Sequence, residues 1–443
     1  MGQVTKAASG VTGLLFVAVL SLPALPVLPA LPVFPARPAL ASGQPSFGEA
    51  TRDLKSTNPS TRLKAVQRLQ EAALVEAAVP LAPLVNDPEN EVQFAAIAAE
   101  LNIFLAEPIV PRRRVGLVVE RRSSIAAESA FTAGRFALGV RSVPAEVLAA
   151  LRKGAHDENP RVALEAVYAF GLLAWQPSGS ARRELLRASG PDIAPLVGAS
   201  DPAMRYAAAR VLGALFAPRP QDEPIEEPIG DALITALNDD DRVVKAAAMQ
   251  ALGAMRYERA VQALSDLYAF YGQNELAEAA LDALAHIARP ASADLFTAAL
   301  ASRSAALRVA AIEGLARIGD RSKLAAITAA VDADRSDAVA LAGVYASARL
   351  ANERINRIGD ALARPRLRMQ ARQYLLELLP GRAAALTSHA QDPDARVRLD
   401  AIEVLGASGD RAALPLVEAA LRDRDPQVAR AAERALARLR ASP

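Results

Sequence analysis

Three histidines, His156, His286 and His389, are the side chains of this chain best suited to metal ligation or proton transfer near neutral pH. Their spacing argues against a shared site. Only His286 has a carboxylate one helical turn away, Asp282, four residues before it. At that spacing the two share a helix face, and the pair reads as a surface contact rather than half of a metal site. The sequence contains no His-Glu-x-x-His, no glycine-rich phosphate loop and no Gly-x-Ser-x-Gly. Cysteine is absent, which removes thiolate zinc sites, thiol nucleophiles and a lipidated N-terminal cysteine together. The reading is therefore a non-enzyme: no catalytic, cofactor or metal site, and no small-molecule cofactor.

Two stretches concentrate charge. Arg112, Arg113, Arg114, Arg121 and Arg122 surround the apolar run Val115–Val119. They offer a docking patch for an acidic protein or anionic polymer, against the simpler expectation of a solvated loop with its apolar centre packed on the fold. Residues 218–228 carry Asp222, Glu223, Glu226 and Glu227 among prolines, and are expected to form an exposed loop at one edge. The chain as a whole has 51 basic and 49 acidic residues. Residues 1–41 contain Lys6 and Arg37 and no acid, so without them the charges balance and no global field favours nucleic acid or an anionic membrane.

The elements that must position these residues are set by a repeat. Met204–Gly213 and Val244–Gly253 align at a spacing of 40 residues, and the same frame recurs with first positions at Thr61, Val92, Ile125, Val162, Met204, Val244, Leu276, Leu307, Val339, Leu367, Val397 and Val428. Four residues after each first position stands a small side chain, from Ala65 to Ala432, with Ser129 and Gly343 as the two that are not alanine. Four further on comes a mostly leucine column that includes Leu69, Leu212, Leu252, Leu405 and Leu436. Those offsets lie on one face of a helix. Asn-Pro or Asp-Pro at Asn58, Asp87, Asn159, Asp201, Asp392 and Asp425 marks helix starts, a capping side chain before a proline that tolerates the first turn. Another helix precedes each such turn, as in Val79–Val85, Val147–Lys153 and Ala413–Arg422. A hydrophobic share of 52% with only 4% aromatics suits close helix packing. The expected fold is all-α, an α-solenoid (superhelix) of about twelve stacked two-helix units.

The unit resembles the HEAT-like repeat, in particular the short version of about 30 residues associated with phycobilisome lyases, over roughly residues 47 to 440. The residue after the first position is basic in Arg62, Arg205, Lys245, Arg308, Arg368 and Arg398. The resemblance implies that this arginine pairs with a turn carboxylate, with Asp201, Asp241 or Asp394 as the expected partners. It also implies that the second helix of each unit lines the concave side, where extended partners bind. Iron-dependent hydroxylases built on such repeats use several His-Glu pairs, which this chain lacks. Bilin lyases share the short repeat but act on cytoplasmic proteins.

Six residues after the first position, on the face expected to be concave, stand Gln67, Tyr168, Arg210, Gln250, Asp282, Glu313, Tyr345 and Gln373, the candidate protein interface, with Tyr168 and Tyr345 as its anchors. The N-terminus gives a location: Lys6, an apolar run Val11–Leu22, prolines at three-residue spacing and Ala39-Leu40-Ala41 read as a signal peptide with a proline-rich tail, cleaved before Ser42. The chain then divides into residues 1–41 and a repeat solenoid over 42–443, interrupted near 111–122 and 218–228. The expectation is an exported, periplasmic or extracellular scaffold of the bacterial cell envelope that binds a protein partner. Membrane anchoring through an uncleaved N-terminal segment is the alternative location. Polyanion or nucleic-acid binding through Arg112–Arg122 is the second functional reading, and a lyase-type enzyme of the repeat family the third.

Overall fold

The computed structural model describes residues 46–106, 125–139, 141–219 and 222–441. The expected export segment, residues 1–41, and the arginines at 112, 113, 114, 121 and 122 lie outside these. Helices α1 (Phe47–Asp53) and α2 (Pro59–Ala72) form the first pair, followed by α3 (Ala78–Leu81) with α4 (Asn90–Phe104). Helix α5 (Ile125–Ala133) stands apart from the pairing. Next come α6 (Ala145–Gly154) with α7 (Pro160–Leu173), α8 (Gly179–Ile193) with α9 (Pro202–Leu215), and α10 (Glu227–Ala236) with α11 (Arg242–Ala254). Then follow α12 (Val261–Tyr271) with α13 (Glu275–Ile287), α14 (Ala293–Ala299) with α15 (Ala305–Ile318), and α16 (Leu324–Asp332) with α17 (Asp337–Leu350). The last pairs are α18 (Ile355–Gly359) with α19 (Arg368–Leu378), α20 (Thr387–Ala390) with α21 (Ala395–Ala407), and α22 (Leu414–Ala420) with α23 (Pro426–Ala441). Among the described residues the fold is all-α, an α-solenoid, and its one strand-like feature is an isolated antiparallel bridge between Leu105 and Leu138.

The second helix of each pair packs on the second helix of the next, from α2 to α4 to α7 and onward to α23. Side-chain size explains both directions of packing. The alanines four residues after the frame's first position are fully buried, from Ala65 through Ala166, Ala208 and Ala311 to Ala432. They face the first helix of their own pair: a Cβ on Gly154 of α6 would stand 3.2 Å from the Ala166 Cβ. A second small position, nine residues after the first, faces the next second helix. There a Cβ on Gly213 would come 2.7 Å from the Ala251 Cα, and one on Gly406 would come 2.3 Å from the Ala435 Cβ. Helices approach this closely only where neither side chain intervenes.

Ser129 breaks the column. It is exposed, and α4 packs directly against α7, so the frame position at Ile125 marks a helix outside the stack. The described chain has eleven helix pairs and one extra helix where the spacing suggests about twelve units.

The turns follow capping chemistry. Asn58, Asn159, Asp201, Asp241 and Asp394 each accept a hydrogen bond from the backbone amide two residues on. Asp87 and Asp392 stand too early to cap: α4 begins at Asn90 and α21 at Ala395. The arginine column pairs differently from expectation. Arg205 grips Asp239 through two bonds of 2.7 and 2.9 Å, while Asp201 and Asp241 are caps. Arg62 takes Asp87, Arg308 takes Asp334 and Arg398 takes Asp423 in the same two-pronged way. Each carboxylate belongs to the turn of the following pair. The remaining nitrogen of each guanidinium donates to carbonyls of its own turn, as Arg205 does to Ala199 and Ser200. Each arginine therefore ties one turn to the next. The hydrogen bonds from these arginines hold Asp239, Asp334 and Asp423 below the usual aspartate range. Gln93 fills the same place in α4 and donates to Asp157 at 2.6 Å.

Residues 218–228 are not a free loop over their described part. Arg182 of α8, almost fully buried, holds Asp222 through contacts of 2.9 and 3.0 Å, and Arg187 reaches Glu223 at 2.8 Å. Burial opposes the Asp222 charge, but Arg182 and the Arg219 amide outweigh it and hold the carboxyl below its ordinary value. Glu223, Glu226 and Glu227 are exposed, as expected.

Replacing Ala208 by leucine overfills the contact between α9 and its neighbours and is expected to cost about 1–3 kcal/mol. Chemical denaturation of the two proteins measures it, and an unchanged midpoint would mean that Ala208 does not hold this contact.

Candidate functional site: the inner face of the second helices

Side chains on one face of the second helices reach across whole repeats. Arg317 of α15 bonds Glu377 of α19 at 2.8 Å, two pairs further on, and Tyr374 of α19 donates to Glu313 of α15 at 2.5 Å. Gln373 lies 3.3 Å from the His286 ring of α13, three pairs back. Only the inside of a curved stack brings groups two and three repeats apart together, so this face is the concave one.

The candidate interface residues divide into three kinds. Gln67, Gln250 and Gln373 are exposed, and Arg210 and Asp282 are half-buried. Tyr168, Glu313 and Tyr345 are buried, at 2%, 6% and 0% exposure. The two tyrosines therefore cannot be the free surface anchors expected of them. Tyr345 is covered by Tyr374 of the next second helix, and Tyr168 by Phe131 of α5.

Tyr345 belongs to a buried polar network. Its ring stacks on Tyr374 with centroids 4.3 Å apart, and its hydroxyl donates to Glu377 at 2.7 Å. Arg317 lies between two carboxylates, bonding Glu377 at 2.8 and 3.1 Å and Glu313 at 3.0 Å. Burial pushes the Glu313 carboxyl up despite the attraction of Arg317. Burial also opposes the charge on Glu377, but bonds from Arg317 and Tyr345 outweigh it and hold that carboxyl below its usual range. One guanidinium thus favours the charged form of Glu377 more than that of Glu313.

Tyr168 belongs to a second cluster, built around the extra helix. Phe131 of α5 packs on Tyr168 at 5.5 Å between ring centroids, over Gly171, where a Cβ would come 2.9 Å from the phenyl ring. The Arg210 guanidinium lies 5.1 Å from the Phe131 ring, 5.8 Å from Tyr168 and 5.2 Å from Tyr206. It also bonds Glu128 at 3.1 Å and Thr132 at 2.9 Å. Further along, Arg372 of α19 lies 4.1 Å over the ring of Phe136, and Arg438 of α23 donates to the Leu138 carbonyl. Arg372 is itself held by Asp400 at 2.7 Å and Glu403 at 2.8 Å. Residues 125–139 therefore lie along the inner face, touching helices from α7 to α23.

The family model for HEAT repeats matches residues 193–269 and 357–437. Over these two stretches the chain carries HEAT repeats. Among solved structures, the chain is similar to an engineered protein at 19% identity and TM-score 0.40, over 90% of this chain and 99% of that one. A second engineered protein matches at 19% identity and TM-score 0.35, over 61% of this chain and 96% of that one. A chain from a structure of Kap95p bound to RanGDP matches at 16% identity and TM-score 0.35, over 90% of this chain and 51% of that one. No curated protein matches.

The histidines occupy separate places in the fold. His156 is exposed, His286 faces Asp282 at 3.6 Å, and His389 is buried with Asp360 at 2.9 Å. Among the described residues no group of three or more histidines and carboxylates could hold a metal ion, and no helix is long and apolar enough to cross a membrane.

Sequence reading missed the inner role of α5 and of Glu165 on α7. The Glu165 carboxyl accepts a hydrogen bond from the Ala127 amide in the first turn of α5. Burial is the largest effect on it and pushes its pKa up to about 8; the Ala127 bond acts in the opposite direction, and Glu128 adds repulsion. Its ordinary value is 4.5, so the folded chain holds the proton more tightly than the unfolded chain. The resulting stability is complete below pH 4.5 and is lost as pH rises through about 8. Melting temperatures between about pH 5 and pH 9 are therefore expected to fall more steeply for the native chain than for Glu165→Gln. Parallel curves would show that Glu165 does not titrate in this range.

Proposed function

We propose that this chain is a non-enzymatic protein–protein interaction scaffold of the bacterial cell envelope, and that it receives a protein partner on the inner face of its second helices. One observation carries the reading: that face already holds a stretch of polypeptide, residues 125–139, through side chains spread from α7 to α23. A stacked array supplies such a surface because each repeat contributes one short strip to a continuous groove. Its exposed inner residues, Gln67, Gln250 and Gln373, are polar, as expected of the rim of a protein interface. The envelope location rests on the residues of the N-terminal segment: Lys6, the apolar run to Leu22 and the small-x-small site at Ala39-Leu40-Ala41.

A photo-cross-linking residue placed at Gln250 on the inner face, or at exposed Gln262 on α12, tests the surface in cells. A discrete cross-linked protein from the inner position and none from the outer one is expected. Identical patterns would remove the inner face from the reading. N-terminal sequencing of the same purified chain is expected to begin at Ser42, and an intact Met1 start would rule out cleaved export.

A further inference from the structure

Helix α5 is not needed to complete the stack, since α4 packs directly on α7 behind it. Its residues Ala127 and Ala130 are buried against the inner face, whereas Ser129, Thr132 and Ala133 are exposed. The end of the segment pairs with the end of α4, the Ala106 amide donating to the Ala137 carbonyl and the Gly139 amide to the Phe104 carbonyl, and its other holds on the stack are separated points. The first is the cage of Tyr168, Tyr206 and Arg210, which takes the Phe131 ring and the Glu128 carboxylate together. The second is the Arg372 guanidinium over Phe136. The third is Arg438, which takes the Leu138 carbonyl. All three receiving cations belong to the stack. Aromatic rings, a carboxylate and the Leu138 backbone carbonyl all belong to the bound segment. This is the complementarity of a receptor and a peptide, written within one chain.

Resting on the scaffold reading above, we propose that the cage at Arg210 and the cations Arg372 and Arg438 form a recognition site for a short helical protein segment that has a carboxylate three residues before an aromatic and a second aromatic five residues beyond it, and that residues 125–139 occupy this site as an internal competitor. The chemistry of the occupant defines the partner. Glu128 and Phe131 lie on one helix face at that spacing, and Phe136 follows within the 3-10 turn Gly134–Ala137. Occupancy also has a built-in cost, because α5 keeps Glu165 out of water and places Glu128 near it. A displacing segment must offset the tether of the internal one, so the site is closed to weak or non-matching chains.

The test uses the full chain and a fluorescein-labelled peptide with the sequence of residues 125–139, read by anisotropy. The Phe131→Ala/Phe136→Ala chain is expected to bind the peptide. The native chain should bind it about tenfold or more weakly, because its internal segment leaves few sites competent. Adding Arg210→Ala to the double variant should abolish binding, and a scrambled peptide should bind neither chain. A double variant that melts like the native chain yet binds no peptide would overturn the proposal and make α5 a structural filler. Should the double variant fail to fold, hydrogen exchange on the native chain decides. Exchange of α5 amides ahead of those in α7 and α9 supports a displaceable segment, and exchange only with global unfolding overturns it. Failure of the two readings is distinguishable. Peptide binding without any partner cross-linked at Gln250 leaves the site and removes the scaffold, and a cross-linked partner without peptide binding does the reverse.

Discussion

Everything in this fold depends on how closely consecutive second helices can approach. Where Gly213 meets Ala251 and Gly406 meets Ala435, almost no side chain separates the backbones. The fully buried alanines such as Ala208 and Ala311 do the same for the first helix of each pair. Close approach on one edge of second helices such as α9, α11 and α21, with tyrosines, glutamates and arginines on the adjoining edge of others, curves the stack. Curvature is thus an outcome of side-chain volumes, summed repeat by repeat.

Curvature in turn determines what the polar residues do. On the turns, the arginine column is spaced so that Arg62, Arg205, Arg308 and Arg398 each reach an aspartate one pair ahead. Inside the curve, Arg317 reaches two pairs ahead. Pairs of the first kind have carboxylates with little exposed side chain and guanidinium groups satisfied by nearby carbonyls, so they fix the angle between repeats. The Arg317 network is costlier. It removes two carboxylates and a cation from water, and breaking such a set typically costs about 3–5 kcal/mol because the remaining charges have no compensation. Its value to the chain is geometric: it locks the tight bend between α15 and α19.

Much of this was legible in the sequence. The alanine column, the leucine column and most of the capping residues repeat, and repetition separates signal from coincidence. Three things were not legible. Asp239 rather than Asp241 takes Arg205, because both aspartates stand in the same turn and only the backbone path separates cap from partner. Tyr168 and Tyr345 read as surface residues because helical periodicity counts only neighbours along one helix, and the rings that cover them come from the neighbouring pair or from α5. Ile125 fitted the frame because a short amphipathic helix satisfies the same offsets whether it stacks or docks. Ser129 at the small position was the one local sign of the difference, since its hydroxyl does not belong in a column of fully buried alanines.

That last ambiguity carries the main consequence for function. A solenoid with an empty inner face presents unpaired arginines and aromatic edges along its groove, and such a surface binds indiscriminately. Here Arg210 is engaged by Glu128, Thr132 and three rings, Arg372 by two carboxylates and Phe136, and Arg438 by a carbonyl. Of these partners, residues 125–139 supply Glu128, Thr132, Phe131, Phe136 and the Leu138 carbonyl. Specificity then becomes a difference between two occupants of one surface rather than the affinity of one. Residues 125–139, docked on the inner face rather than stacked, are what converts a generic stack into a selective one.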